Sequence, residues 1–261
     1  MGAEQTSVPS APSSSFHPLQ TFGCQRLRPV NEYTPERTGL DCANGTWDPC
    51  CRQGFKAGKA RVMKIIVVGA TGTIGAEVVK ALSARKHEVI SASRKGAVKV
   101  AIEDGASISA MFDQIPGVDA VVCCAGNAVF KPFADLTDAD YELGLRSKLM
   151  GQVALARIAK DRLKDGGSIT VTTGSLAMQP MRGSASISTV NAGLEGFVRA
   201  AALELPRKLR INAVSPPWVK ETMVKFGMDP SPGLAAAEVA KAYVAAVEQP
   251  HQGKVLDARQ F

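Results

Sequence analysis

Residues 63–75 read MKIIVVGATGTIG. Ile65-Ile66-Val67-Val68 is a short β-branched run, the pattern of a strand covered on both faces. Gly69, Gly72 and Gly75 follow directly, and Val78, Val79 and Leu82 then recur at helical spacing. The order is strand, glycine turn, helix. One glycine permits the sharp turn, one lets backbone N–H groups approach a pyrophosphate, and one lets the helix press on the strand. The helix N-terminus then presents its positive dipole end to the phosphates. Gly69, Thr71, Gly72, Thr73, Ile74 and Gly75 are therefore the first candidate binding residues. The competing reading is a tight turn that holds nothing.

Working downstream, Glu88–Ala92 reads as a second strand ending in Ser93-Arg94-Lys95. In a dinucleotide fold this strand end meets the adenosine ribose. An acid there would bind the 2′-hydroxyl, whereas Ser and Arg bind a 2′-phosphate. No acid is present, so Ser93 and Arg94 predict NADP(H) over NAD(H). The alternative is that Arg94 and Lys95 are solvated turn charges.

The remainder alternates. Strands are expected at 97–102, 119–124, 168–172, 210–215 and 254–256, and helices at 107–115, 136–163 with a break near Gly144, 186–205 and 235–247. Cys124-Ala125-Gly126 closes the fourth strand, where a glycine lets the chain pass close to a nucleotide. The expected fold is α/β, a doubly wound parallel sheet of about seven strands with helices on both faces and ligand at the carboxyl ends of the strands.

Upstream, residues 1–62 hold six prolines, a Ser13–Ser15 run and no sustained periodicity. They read as a disordered extension, or as sequence upstream of a true start at Met63; residues 63–261 are the single folded domain. No apolar run approaches a membrane span. Net charge is +7, but the cations are scattered with no aromatic interleaving, which argues against nucleic acid. The six cysteines lack the spacing of a metal site. Cys123 and Cys124 read as buried thiols, which suits a reducing, cytoplasmic setting.

Five pieces carry a resemblance: GATGTIG (69–75), CCAG (123–126), GGSITVTTGS (166–175), NAGLEGFVRAAALEL (191–205) and RINAVSPP (210–217). Together they resemble the short-chain dehydrogenase/reductase family from Met63 to the C-terminus. The resemblance implies a nicotinamide cofactor and hydride transfer to or from a carbonyl or alcohol carbon of a small molecule. It also implies a homodimer or homotetramer packed through the helices after strands four and five.

The departures are in the chemistry. That family uses a Tyr as proton donor, a Lys that lowers its pKa and holds the nicotinamide ribose, a Ser at the substrate oxygen, and an Asn from the helix after strand four. The matching positions here are Ile187, Asn191, Gly174 (with Ser175 adjacent) and Lys148. No Tyr-x-x-x-Lys occurs nearby, since the tyrosines are Tyr33, Tyr141 and Tyr243. Ala101 replaces the acid expected at the adenine, and Pro217 a turn glycine. Lys and Asn have changed places, so Ser175, Lys148 and Asn191 are the candidate catalytic residues. Lys148 as a solvated helix charge is the competing reading, and Arg182 is a candidate for a substrate carboxylate. Two functions remain open: an NADP(H)-dependent oxidoreductase with altered proton-transfer groups, or a non-catalytic NADP(H)-binding sensor or interaction protein.

Overall fold

The computed structural model describes residues 61–261; the expectation for the N-terminal extension falls outside them, apart from Arg61 and Val62. Seven parallel strands form one sheet in the order β3-β2-β1-β4-β5-β6-β7. These are β1 Lys64–Val68, β2 Glu88–Ser93, β3 Val98–Lys99, β4 Ala120–Cys123, β5 Ser168–Thr172, β6 Arg210–Ser215 and β7 Val255–Asp257. The helices are α1 Thr73–Ala84, α2 Gly105–Gln114, α3 Asp138–Gly144, α4 Gly151–Arg162, α5 Ala185–Ala201, α6 Lys220–Lys225 and α7 Ala236–Glu248. The order of strands reverses between β1 and β4, the crevice where such sheets bind ligand.

β1 explains its own place. Ile65, Ile66 and Val67 are wholly buried, each contributing roughly 1.5–3 kcal/mol by leaving water. Alternate side chains feed two cores. Ile66, Val68, Val121 and Ile169 join Leu155 of α4 and Leu194 of α5 on one face. Ile65, Val67 and Val122 join Val78 of α1 and Tyr243 of α7 on the other. A run apolar on both sides is what a central parallel strand needs.

Three expectations change in detail. The third strand shrinks from 97–102 to Val98–Lys99, because this edge strand pairs with β2 alone. The helix from 136 to 163 does not break at Gly144. It runs from α3 through a π-helical turn, Leu145–Met150, into α4. The α5 helix stops at Ala201 rather than Leu205, and the short helix α6 had no sequence signal. Among the described residues no helix is long and apolar enough to cross a membrane.

Candidate active site and nucleotide cleft

Two adjoining clefts open where the strands end. The outer, of about 640 Å³, is lined by Gly69, Thr71, Gly72, Ser93, Arg94, Lys95, Glu103 and Ser147, among others. The inner, of about 290 Å³, includes Lys148, Thr173, Ser175, Ile187, Asn191 and Trp218 in its wall. Cys124, Ala125 and Gly126 line both. Most of the candidate residues lie on these two clefts, around the end of β4, whereas Thr73 and Gly75 line neither.

The outer cleft begins at the glycine turn. Gly69 has φ +82°, and a side-chain carbon on it would stand 2.9 Å from the Ala125 nitrogen. On Gly75 such a carbon would meet the Gly69 carbonyl oxygen at 2.1 Å. The loop after β1 is thereby held against β4 and against its own helix. The first bond of α1 runs from Ala76 N–H to the Gly72 carbonyl, so the amides of Thr73, Ile74 and Gly75 head the helix without an acceptor among the described residues, donors of the kind anions seek. No side chain caps this end.

At the end of β2, the Ser93 hydroxyl is buried with no partner among the described residues. A buried hydroxyl without a partner costs free energy, and here it lies beside the exposed Arg94 and Lys95. These groups fit a nucleotide carrying a 2′-phosphate. Glu103 is an addition that the sequence did not flag. It accepts a hydrogen bond from Ser147 Oγ at 2.6 Å. Burial alone would raise its carboxyl, but the Ser147 hydroxyl, its own backbone and the Arg94 and Arg146 charges hold it below the usual range. Ala101 does not line the cleft; its amide donates to Ser107 Oγ at 3.0 Å.

In the inner cleft, Lys148 projects from the π-helical turn, a distortion that often marks functional positions. Its Nζ donates to the Thr173 carbonyl at 3.1 Å. Burial lowers its pKa to about 8, against an opposing effect of Cys123. Gly126, at φ +135°, makes room: a side-chain carbon there would lie 2.9 Å from Lys148 Cα. Gln152, fully buried, steadies the turn. Its Nε2 donates to the Thr172 carbonyl at 2.9 Å and the Lys148 carbonyl at 3.2 Å, while its Oε1 accepts from Thr172 N–H at 2.8 Å. Nothing in the sequence distinguishes this buried amide from a surface one.

Asn191 is 1% exposed. Its Nδ2 donates weakly to the Gly174 carbonyl at 3.4 Å, and its Oδ1 has no partner among the described residues. Ser175 is held by its N–H, which donates to the Pro216 carbonyl at 2.9 Å. Ile187, at the position where the resemblance implies a proton donor, forms part of the apolar wall of this cleft. Tyr243 cannot substitute. It is wholly buried under the sheet, hydrogen-bonded to Thr172 Oγ1 at 2.6 Å, and burial pushes its pKa well up. Cys123 is likewise a core thiol, pushed by burial to about 12. Cys124 is only partly buried. Arg182 is exposed and lines neither cleft.

Comparison with known proteins agrees with this geometry. A family model described as enoyl-(acyl carrier protein) reductase matches residues 73–253. The chain belongs to the short-chain dehydrogenase/reductase family. Among curated relatives, the hydroxynaphthalene reductase-like protein Arp2 of Metarhizium brunneum is 29% identical over 164 residues, 59% of this chain and 61% of that protein. The chain thus spans about three fifths of the length of the first curated relatives it matches. Among solved structures, protein lin1944 from Listeria innocua is 36% identical with TM-score 0.70, covering 75% of this chain and 99% of that one. A small-chain dehydrogenase in complex with NADPH is 28% identical with TM-score 0.67, covering 76% and 96%. The chain carries a glycine turn after its first strand, and its sequence contains no Tyr-x-x-x-Lys.

Proposed function

We propose that the chain is an NADPH-dependent reductase acting on the carbonyl group of a small organic molecule, with Lys148 as the proton donor. The observation that carries this reading is the Lys148 ammonium, which opens on the inner cleft and among the described residues donates to the Thr173 carbonyl alone. NADPH, when bound, supplies the hydride. The amides that open α1 hold its pyrophosphate, and Ser93 with Arg94 and Lys95 holds its 2′-phosphate. Asn191 Oδ1 accepts from a ribose hydroxyl, which gives that buried oxygen its missing partner. As negative charge grows on the substrate oxygen, Lys148 donates its proton there and Ser175 donates a hydrogen bond. The product is an alcohol, and solvent returns the proton to Lys148. The NADPH-bound relative and the reductases among the curated relatives support both the cofactor and the direction. In the same reading α4 and α5 pair subunits, and the protein works in the cytoplasm.

NADPH oxidation followed at 340 nm across a carbonyl panel tests the proposal. Lys148→Met should lower turnover about a hundredfold or more while leaving NADPH affinity within about twofold. Full activity in that variant would sink it. The second reading, a non-catalytic NADP(H) sensor, is favoured by Ile187 in the inner wall. Tight NADPH binding with no turnover on any panel member would establish it.

A further inference from the structure

Lys225 is the last residue of α6, far along the chain from the glycine turn, yet its Nζ donates to Thr73 Oγ1 at 2.7 Å. The base of α6 is pinned. Lys220 N–H donates to the Leu234 carbonyl at 2.9 Å, and the Glu221 carboxylate accepts from Ala236 N–H at 3.0 Å. Met223 is buried beneath the helix. Val219 and Thr222 line the inner cleft, and Lys225, one turn on from Thr222, lies on the same helix face. The contact therefore crosses the mouth of the cleft, from the segment after β6 to the start of α1.

Its electrostatics are unusual. A cation at a helix N-terminus opposes the dipole, and here it stands beside the amides that open α1, which have no acceptor among the described residues. The first turn of α1 holds no acid to offset it. Nearby, Glu77 already pairs with Lys80 at 2.6 Å. The arrangement becomes favourable when an anion lies between the ammonium and the amides.

We propose that Lys225 is a pyrophosphate clamp, releasing Thr73 and donating instead to the phosphate oxygens of the bound dinucleotide, so that α6 closes over the cofactor. This rests on the NADPH reading above. It adds a binding residue from the far side of the cleft.

The test is calorimetric titration of the full chain with NADPH and with NADH, for wild type, Lys225→Gln and Lys225→Arg. Lys225 is exposed, so neither substitution threatens the fold. Lys225→Gln should weaken both nucleotides by a similar factor, about tenfold at low salt. That gap should shrink in 0.5 M salt, where the Debye length falls to about 4 Å. Lys225→Arg should bind within about threefold of wild type, since it keeps the charge. Unchanged NADPH affinity in Lys225→Gln overturns the clamp, as does a loss confined to NADPH, which would place the lysine at the 2′-phosphate. A wild-type chain that binds neither nucleotide overturns the cofactor reading itself, and the clamp with it.

Discussion

Gly174 and Asn191 are fitted to one another: a side-chain carbon at 174 would stand 2.9 Å from Asn191 Nδ2. That contact ties what can stand at one position to what stands at the other. A serine at 174 needs Asn191 to move, and Asn191 is buried against β5 and the loop beyond it. Gly174→Ser should destabilise the protein by about 1–3 kcal/mol. In the Asn191→Ala background the same change should cost less than half as much, a coupling measurable by denaturant titration of the four proteins. Additive losses would show that the two residues are independent.

The Gly69–Gly75 approach is tighter, because the obstacle is backbone. At 2.1 Å from a carbonyl oxygen, no rotamer change relieves a new methyl group. Gly75→Ala should cost about 3 kcal/mol or more, beyond ordinary overpacking, and should abolish nucleotide binding by displacing α1. A thermal midpoint within about 2 °C of wild type would contradict this packing account.

Arg94 should set the choice between nucleotides. Arg94→Ala removes a charge-assisted partner of a 2′-phosphate, so NADPH affinity should fall about tenfold or more while NADH affinity changes little. Equal losses for both would assign Arg94 to another part of the cofactor. Because Arg94 also helps hold the Glu103 carboxyl low, the variant should raise the Glu103 pKa, visible by carbon-detected NMR titration.

Lys148 gives a pH signature independent of any substrate. Its pKa is lowered from 10.5 to about 8 in the folded chain. Between these values the unfolded chain holds the proton and the folded one does not, so stability rises with pH across that window. Below about pH 8 both states are protonated and the contribution is flat. Lys148→Met should remove the rise, read as the difference between denaturant curves of the two proteins at pH 7.5 and 10. In the reductase reading, carbonyl reduction should fall as pH rises through about 8, because the donor form is lost.

The sequence by itself determined the parallel sheet and the glycine turn, while the strand order that puts the switch between β1 and β4 came from the structure. The first two depend on local periodicity and on backbone conformations that only glycine adopts readily. The sequence also marked Lys148 and Asn191 by their exchanged places. Tertiary structure decided the rest. The π-helical turn that aims Lys148, and Gln152 that steadies it, arise because α4 packs on β5. Glu103 entered the cleft through Ser147, 44 residues away along the chain. Lys225 reached Thr73 because α6 is pinned to residues that follow it. Such contacts join side chains distant in sequence, and no local pattern encodes which distant groups a fold will bring together.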